Sequence, residues 1–448
     1  HGTDGGTAVN WTWRGAAPGT PLADAIFNLC WLAVLRRVHH RLQFEGISTA
    51  LTCKGGGIFE ADAEDADFGH LMEVEAPDTT YVDDEALLLD AEDADMLMHV
   101  LCRAAVVLRD EAAASGFQLN WEAGKTEAVV SWQGRGAQNV RKALPETQDG
   151  ARLLAIEPGV TLRLVKSYKH VGKQTLASGG MGREITARAS SYVVASIELG
   201  PLFRSSIYSK STKVLVEKAC CCSRLIHGSG GWDPLAESLE GRLHGKRMKT
   251  LRTIWGVRIL KGQGTVSHEV SDARVLQDLK VLPLRAVVIL ERLRYAAQVS
   301  TGAPAGLRAL VQEAQSGKDA WSLQVLRDAT VMQRILPDRL RSLPLPSAHP
   351  RVWERLWTFH TREWKQLISL FESRLLAKVS EGESLRELLG DVSLEGSVIA
   401  VPLQGAVPPP PVEDAERTYV CEDCGKVFAS HEARQSHATR RHGHRRCL

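Results

Sequence analysis

The stretch Tyr81-Val82-Asp83-Asp84 lies between a short extended segment, Thr79-Thr80, and an apolar run at residues 86–89. This pattern predicts a tight β-hairpin with both acids at its bend. Adjacent like charges repel, so a fold that exposes them together commonly neutralises them with a cation, and hard carboxylate oxygens suit magnesium. For an acidic pair taken alone, a solvated turn is the alternative interpretation. The segments on either side decide between the two.

Length and composition set the broad class. The chain has 448 residues, 44% of them hydrophobic and 24% charged, which is typical of a globular protein with two to four domains. No apolar run approaches the ~20 residues that a membrane helix needs, so we expect no membrane contact. Nine cysteines without the spacing of a disulfide framework indicate a reducing compartment. We therefore expect a nuclear or cytoplasmic location, or both.

The charges are segregated along the chain although the net charge is only +2. Residues 60–95 contain fifteen acids and no Lys or Arg, whereas residues 241–261 contain seven Lys or Arg and no acid. The acidic block surrounds the Asp-Asp pair, and the basic block lies downstream. A phosphate polymer would be held by the basic region.

Apolar periodicity predicts helices over residues 23–42 and 95–115, the second ended by Gly116. Strands are predicted at 117–120 and 127–132, with a strand pair at 160–171. This order predicts an α+β fold with helices on one face of an antiparallel sheet. From 182 to 400 the pattern is mainly helical, and four consecutive prolines at 408–411 indicate a stiff linker. The predicted divisions are residues 1–180, 181–400, 401–418 and 419–448.

Further segments carry residues suited to nucleotide chemistry. A Gly/Pro loop containing Pro18 and Gly19 turns into the first helix, which carries Phe27, and such a loop lets a substrate backbone approach closely. After the second helix, Lys125 follows a glycine in a loop, where an ammonium can protonate a leaving phosphate oxygen or clamp a triphosphate. A solvated surface lysine is the alternative. Residues 167–172 form a predicted short strand that ends in glycine.

Taken in this order, the segments resemble those of a reverse transcriptase of the non-LTR (LINE-like) retrotransposon type. The loop at residues 18–28 is similar to that family's motif B, residues 81–84 to motif C, residues 120–126 to motif D, and residues 168–172 to the strand leading to the thumb. The resemblance covers roughly residues 11–260. It implies a partial right-hand polymerase palm, a helical thumb, and RNA-templated DNA synthesis with two magnesium ions.

The resemblance also implies roles for individual residues. Asp83 would be a magnesium ligand and Asp84 its neighbouring carboxylate, and Lys125 would be the proton donor or phosphate contact. The implied partners are an RNA template and a DNA primer. The residues implied in positioning them or the incoming nucleotide are Pro18, Gly19, Phe27 and Tyr81.

The chain departs from the family's pattern in several ways. The Asp-bearing strand of motif A, which supplies a third metal carboxylate, has no counterpart here, and neither have the fingers. Glu85 follows the acidic pair where the family usually has a small or apolar residue. Two carboxylates without the third should hold a catalytic metal pair poorly. We therefore expect the chain as given to be a polymerase remnant that does not extend a primer by itself.

A second motif lies at residues 419–448: Tyr419-x-Cys421-x2-Cys424-x3-Phe428-x8-His437-x4-His442, which matches a C2H2 zinc finger. Two thiolates and two imidazoles form a closed tetrahedral site that suits structural zinc. A module of this size cannot bury enough core to fold alone, so the metal supplies the folding free energy. We predict a ββα module with zinc held by Cys421, Cys424, His437 and His442.

The finger lacks the side chains that read base sequence. The helix positions that face bases in such fingers are Ser430, Ala433 and Ser436 here, and none makes a bidentate base contact. We expect weak, salt-sensitive, largely sequence-independent nucleic-acid contact. A protein-interaction role is the alternative.

Two further patterns have competing interpretations. Residues 351–378 predict one helix with an apolar face and an opposite basic face of Arg351, Arg355, Arg362 and Lys365. This indicates either a helix packed on a core or a stripe that follows a nucleic-acid backbone. The three cysteines at residues 220–222 are interpreted as helix cysteines, because adjacent thiols cannot all face one tetrahedral centre.

Two functional hypotheses follow. The first is a fragment of a non-LTR retrotransposon reverse transcriptase with a partial palm, a helical thumb and C-terminal region, and a zinc finger. The second is a non-catalytic zinc-finger protein that binds nucleic acid or another protein, with the palm-like part as scaffold.

Overall fold

The computed structural model describes residues 21–54, 57–59, 71–75, 79–81, 84–134, 136–170, 172–256, 270–314, 321–383, 389, 419–420 and 427–428. Two compact units are present, His1–Ser397 and Val398–Leu448. Across these described stretches the chain is mixed α+β and mainly helical, in agreement with the predicted class.

The first part of the larger unit alternates short strands with helices. Its elements are α1 (Pro21–Phe44), β1 (Ala50–Lys54), β2 (Leu71–Glu75), β3 (Thr79–Tyr81), β4 (Asp84–Ala86), α2 (Ala94–Ala114), β5 (Glu127–Val129), α3 (Ala137–Ala143), β6 (Arg152–Glu157), β7 (Val160–Val165), β8 (Ser167–His170) and β9 (Lys173–Leu176).

The two predicted long helices are confirmed as α1 and α2. Asp93 caps α2 by accepting from the Met96 N–H at 2.7 Å, which satisfies one of the donors that a helix start leaves unpaired. Gly116 follows the helix at φ +80°, a conformation that favours glycine. For α2 the signals are therefore local ones, a capping acid and a terminating glycine around an apolar repeat.

Helices α1 and α2 pack antiparallel. Arg37 of α1 pairs with Glu111 at 3.0 Å, whereas Glu45, just beyond α1, pairs with Arg103 at 2.8 Å. The C-terminal end of α1 thus lies beside the N-terminal half of α2. The two helices share an apolar interface that includes the buried residues Trp31, Val34, Leu35, Val38, Leu42, Ala104, Val107 and Ala112.

The sheet differs from the single antiparallel palm sheet that we predicted. Strands β5, β7 and β6 form one sheet in that order, with β5 parallel and β6 antiparallel to β7. Within the described residues, β1–β2, β3–β4 and β8–β9 are separate two-stranded sheets. The predicted strand at 117–120 is wrong, because Phe117 packs its ring against α1 and the segment forms no ladder. The three-stranded sheet is covered by α2 through Leu101 and Ala105.

Between residues 182 and 383 the described elements are helical, as predicted. They are α4 (Gly182–Glu198), α5 (Gly200–Arg204), α6 (Lys210–Val216), a π-helical turn (Glu217–Cys222), α7 (Ser223–Leu225), α8 (Glu237–Trp255), α9 (Asp272–Leu279), α10 (Leu284–Gly302), α11 (Ala305–Glu313), α12 (Trp321–Ile335), α13 (Pro337–Leu340), α14 (Pro350–Phe359) and α15 (Thr361–Ser380).

The single helix predicted over residues 351–378 is two helices. The chain leaves helical geometry at His360, which has φ −112° and ψ 48° and separates α14 from α15. Arg351, predicted on the basic outer face, is only 8% exposed and pairs with Glu354 at 2.7 Å. Arg355, Arg362 and Lys365 are exposed as predicted. The predicted apolar face is confirmed by the burial of Trp353, Trp357, Trp364, Leu367, Ile368, Phe371 and Leu375.

An ion pair lies inside the helical core. Arg292 of α10 donates to Asp328 of α12 at 2.7 Å, and Gln324 donates to the same carboxylate at 3.0 Å. Asp328 is 1% exposed and Arg292 is 4% exposed. Each charge therefore depends on the other for compensation, because neither has access to water.

The β1–β2 hairpin packs on the helical region rather than on the three-stranded sheet. Leu51 and Val74 contact Ala309 and Leu310 of α11. Across the described residues, none of the helices combines the length and the apolar character that crossing a membrane requires.

Candidate functional site

The hairpin predicted around the acidic pair is present in the main chain. Strands β3 and β4 are antiparallel, with Tyr81 opposite Asp84, Thr80 opposite Glu85 and Thr79 opposite Ala86. Residues 82 and 83 connect the two strands, so the chain reverses direction within two residues, as the sequence predicted. The sequence predicted both acids at the bend, whereas Asp84 stands at the first paired position of β4, opposite Tyr81.

Part of the predicted site lies outside the described residues. Asp83 is among these, and so are Pro18 and Gly19 of the loop before α1. For Tyr81 and Asp84 the description is of the main chain. Their predicted roles toward magnesium and substrate stay predictions.

The connection from the hairpin into α2 is anchored in the core. Leu87 packs against the α1–α2 cluster, and Leu89 contacts both that cluster and the one beneath the three-stranded sheet. The Thr49 hydroxyl donates to Asp90 in the same connection. Strand β4 ends at Ala86, directly before Leu87. The contacts of Leu87 and Leu89 therefore fix the position of the C-terminal end of the hairpin.

Phe27 belongs to an aromatic cluster on α1. Its ring stacks on Trp31 with centroids 6.1 Å apart and meets Phe117 edge-on at 5.6 Å. Trp31 and Phe117 are also edge-on, at 5.5 Å. The ring is half-buried in this packing. Phe27 thus stabilises the contact between α1 and the segment after α2, and its implied part in substrate positioning stays a prediction.

Lys125 lies in a tightly bonded loop before β5. The Lys125 N–H donates to Glu122 O at 3.1 Å, and the Thr126 N–H donates to Asn120 O at 3.0 Å. The Asn120 side chain accepts from the Glu122 N–H at 2.9 Å. Because the main chain is held from both ends, the loop has a defined shape. The Lys125 side chain itself is exposed and makes no ion pair within the described part of the chain.

The structure brings two of the predicted segments together. The Tyr168 hydroxyl of β8 donates to the main-chain oxygen of Lys125 at 2.9 Å. The sequence predicted both segments but not this bond, which links the loop similar to motif D with the strand that leads to the thumb. A tyrosine in a polar strand was the only signal for it.

The β8–β9 hairpin is fixed to the helical region. The Gln174 N–H donates to Glu184 of α4 at 2.8 Å, and Arg188 donates to the same carboxylate at 2.6 Å. The Lys173 side chain packs over Gly228, and burial lowers the pKa of Lys173 from its ordinary value. Glu184 therefore joins the strand hairpin to the first long helix of the region predicted as a thumb.

Some of the basic residues at 241–261 form ion pairs inside the protein. Arg247 is buried and pairs with Glu217 at 3.3 Å, and Arg252 pairs with Asp272 of α9. Arg242, Lys246 and Lys249 are exposed. These three are spaced by four and three residues, so they lie on one face of α8. Among the described residues, Arg242, Lys246 and Lys249 have no carboxylate partner.

The cysteines at 220–222 lie in the π-helical turn and form no metal centre there. All three are helical, but of the buried helix cysteines that the sequence predicted, only Cys221 and Cys222 are buried, and Cys220 is exposed. Burial raises the pKa of the Cys222 thiol to about 11. Beside it, Glu217 accepts from the Tyr192 hydroxyl at 3.1 Å. The turn thus packs thiols against a buried polar network.

We expect alkylation of the native chain to distinguish these thiols. At pH 8.5, iodoacetamide should label Cys220, whereas Cys222 should react roughly a hundredfold more slowly because its thiolate is scarce and shielded. All three thiols lie in one tryptic peptide, residues 219–224, so fragment-ion mass spectrometry assigns each label. Equal labelling of Cys220 and Cys222 would contradict the described turn.

The same shift gives a pH dependence. The folded chain keeps the Cys222 proton to a pH of about 11, because burial raises the pKa of this thiol above its ordinary value of 9.0. The folded state therefore binds more protons than the unfolded state between these values. Stability contributed by this group is lost as the pH rises through that window.

In the smaller unit, the described residues form one strand pair. Strand β10 (Tyr419–Val420) runs antiparallel to β11 (Val427–Phe428), with Tyr419 opposite Phe428. This agrees with the β-hairpin that opens a ββα module, and Cys421 and Cys424 fall in the connection between the strands. The four predicted zinc ligands lie outside the described residues.

Among the described residues, no group of three or more His, Cys, Asp or Glu side chains is arranged to hold a metal ion. No protein-family model, no curated protein and no solved structure matches this chain.

Proposed function

We propose that the chain is part of a reverse-transcriptase-like polymerase of the non-LTR retrotransposon type, with a structural zinc finger at its C-terminal end. The register of the β3–β4 hairpin carries the proposal, because it puts Asp84 directly after a two-residue reversal that contains Asp83. The bond from Tyr168 to Lys125 O supports it, because it joins two further segments of the ordered motif set.

The donor chemistry of the hairpin fits magnesium. Asp83 and Asp84 would hold one magnesium ion through hard carboxylate oxygens, whereas a catalytic pair of ions would need the third carboxylate that is expected to be missing. When bound, magnesium would activate a primer hydroxyl and stabilise the leaving pyrophosphate. Lys125 would contact a phosphate oxygen from its exposed loop, and the Tyr168 hydrogen bond would hold that loop's main chain in place. Cys421, Cys424, His437 and His442 would hold zinc.

A non-catalytic nucleic-acid-binding protein is the second candidate. The exposed cations Arg242, Lys246 and Lys249 favour it, because a stripe of this kind binds phosphates without any catalytic metal. This surface is compatible with both candidates, so the metal site has to discriminate between them.

Iron-directed cleavage tests the metal site in the chain as it is. Fe2+ replaces Mg2+ on oxygen ligands and, with ascorbate and peroxide, cuts the nearest main chain. With primer–template bound, we expect cuts at residues 79–90, reduced about tenfold or more in Asp83→Asn and Asp84→Asn. Mass spectrometry of the fragments locates the cuts.

The matched control is Glu64→Gln together with Asp65→Asn, an adjacent acidic pair from the same acidic block. It should leave the cleavage pattern unchanged. If primer–template binds but no cuts occur near the hairpin, the polymerase proposal fails and the non-catalytic candidate stands. Cuts that persist in both Asp variants would also contradict the polymerase proposal.

A further inference from the structure

The corner between α14 and α15 presents an aromatic ring to solvent. Phe359, the last residue of α14, is 74% exposed. Trp357 and Trp364, on either side of it in sequence, are buried, and their ring centroids lie 5.4 Å apart. The two tryptophans therefore join the helices to the core, and the ring of Phe359 stays accessible.

The inner side of α14 is fixed by buried contacts. Glu354 accepts from the Ile58 N–H at 2.6 Å and pairs with Arg351 at 2.7 Å. Gln312 of α11 donates to the main chain of the same buried segment, residues 57–59, at 2.8 Å. These contacts hold α14 in place, and they remove Arg351 from the predicted basic stripe. The other three cations of that stripe are at the surface.

These three exposed cations flank the exposed ring. Arg355 is four residues before Phe359, so the two side chains are neighbours on the outer face of α14. Arg362 and Lys365 lie three residues apart on one face of α15. Between the first and the last of these cations the chain has one acid, Glu363, which is also exposed. The corner therefore combines a stacking surface with an excess of positive charge.

The rest of this outer surface is polar, since on α15 it continues with Gln366, Ser369 and Ser373. A stable protein interface buries about 800 Å² per partner around an apolar centre, which one ring among polar side chains does not supply. Single-stranded nucleic acid fits this surface better, because its bases stack on an aromatic side chain while Arg and Lys bind its phosphates. In a duplex the base faces are already stacked on neighbouring pairs.

We infer that the α14–α15 corner binds single-stranded nucleic acid, with one base stacked on Phe359 and phosphates held by the three flanking cations. Binding is largely independent of sequence, because every base offers a π-face. The surface lies outside residues 11–260, which resemble the polymerase. It goes beyond the proposed function and requires neither the hairpin metal site nor the zinc finger.

Photocrosslinking to the full chain locates the stacked base. The probe is a strand of about twelve nucleotides, oligouridine or oligothymidine, in which one base is replaced by 5-iodouracil. Under ultraviolet light this base bonds covalently to an aromatic side chain in contact with it. Trypsin then releases residues 356–362, and fragment ions distinguish Phe359 from the buried Trp357. We expect the adduct on Phe359 with both strands.

Lysine footprinting measures the affinity of this surface. The bound strand should protect Lys365 from acetylation by a small amine reagent. In Phe359→Ala, the strand concentration that gives half-protection should rise about tenfold, because one stacking contact is lost. Phe359→Tyr keeps a ring and should behave as the wild type. The matched control Phe44→Ala removes an 86% exposed phenylalanine at the end of α1 and should also behave as the wild type.

The salt dependence of the same protection tests the phosphate contacts. Arg362→Gln removes one contact with a single strand, so the slope of log affinity against log salt should fall by about 0.7. Arg141→Gln, a charge-matched control near the end of α3, should leave the slope unchanged. Phe359→Ala should also keep the wild-type slope, because a stacking contact releases no counterion.

The inference fails if the single strand gives no adduct within residues 356–362, or if Lys365 is protected equally in Phe359→Ala and the wild type. It also fails if the annealed duplex protects Lys365 as well as the single strand does. Self-association that light scattering detects in the wild type and not in Phe359→Ala would assign the surface to a protein contact instead. Hydrogen exchange in α14 and α15 verifies that Phe359→Ala is folded, and the wild-type adduct gives an answer even if it is not.

Discussion

The variant Cys421→Ser is expected to lose its zinc and with it the fold of the C-terminal module. The wild-type chain should release one zinc ion per molecule to a colorimetric chelator after thiol modification, and the variant none. The effect is large because zinc contributes about 10–16 kcal/mol of apparent binding free energy to such modules near pH 7. Zinc analysis of the full chain measures it, and cobalt substitution reports the tetrahedral thiolate site.

Cys447→Ser is the matched control, since Cys447 is a nearby thiol outside the predicted ligand set. It should keep the full zinc content. Loss of zinc in Cys447→Ser with retention in Cys421→Ser would reverse the ligand assignment. Proteolysis should then separate the effects by unit, because residues 398–448 form a compact unit of their own and Cys421→Ser should leave His1–Ser397 resistant.

The variant Asp328→Ala is expected to destabilise the helical core by about 3–5 kcal/mol, because it leaves Arg292 buried without a counter-charge. In the wild type, Asp328 accepts from Arg292 at 2.7 Å and from Gln324 at 3.0 Å. Native-state hydrogen exchange should show protection in α10 and α12 falling by roughly two to three decades. Exchange in α2, which lies outside this contact, should change little.

Two variants calibrate this result. Asp338→Ala removes an exposed carboxylate at the start of α13 and should change stability by less than about 0.5 kcal/mol. The double variant Arg292→Met with Asp328→Leu removes both charges and should recover most of the loss. If Asp328→Ala exchanges like Asp338→Ala, the pair is not a determinant of core stability.

Local signals predicted much of the fold. Helices α1 and α2 follow from an apolar repeat, and α2 also has a capping acid and a terminating glycine within the same segment. The β3–β4 hairpin follows from two short extended segments around a two-residue connection. Structure of this kind depends on residues that are close in sequence, so one amino-acid sequence is enough to predict it.

Long-range contacts account for what the sequence did not predict. Phenylalanine is a residue type common in strands, but the Phe117 ring packs on α1 and its segment pairs with no strand. Strand β5 pairs in parallel with β7 although α3 and β6 lie between them in sequence, and no local pattern indicates this pairing. Helical periodicity placed Arg351 on an outer face, whereas a segment almost 300 positions away draws it inward.

Sites were predictable only in part for the same reason. The hairpin and the Lys125 loop could be found from residue types and order, but the bond between Tyr168 and Lys125 needed the fold to bring them together. The Gln312–Arg351–Glu354 set was missed. Its only sequence signal was an opposite-charge pair three residues apart beside two tryptophans.

The contact between Ile58 and Glu354 spans 296 positions of the chain. During translation at about 5–20 residues per second, Ile58 is made roughly 15–60 s before Glu354. For that interval an apolar dipeptide destined for the interior has no partner. The larger unit can therefore close around these two residues only after Glu354 has been made.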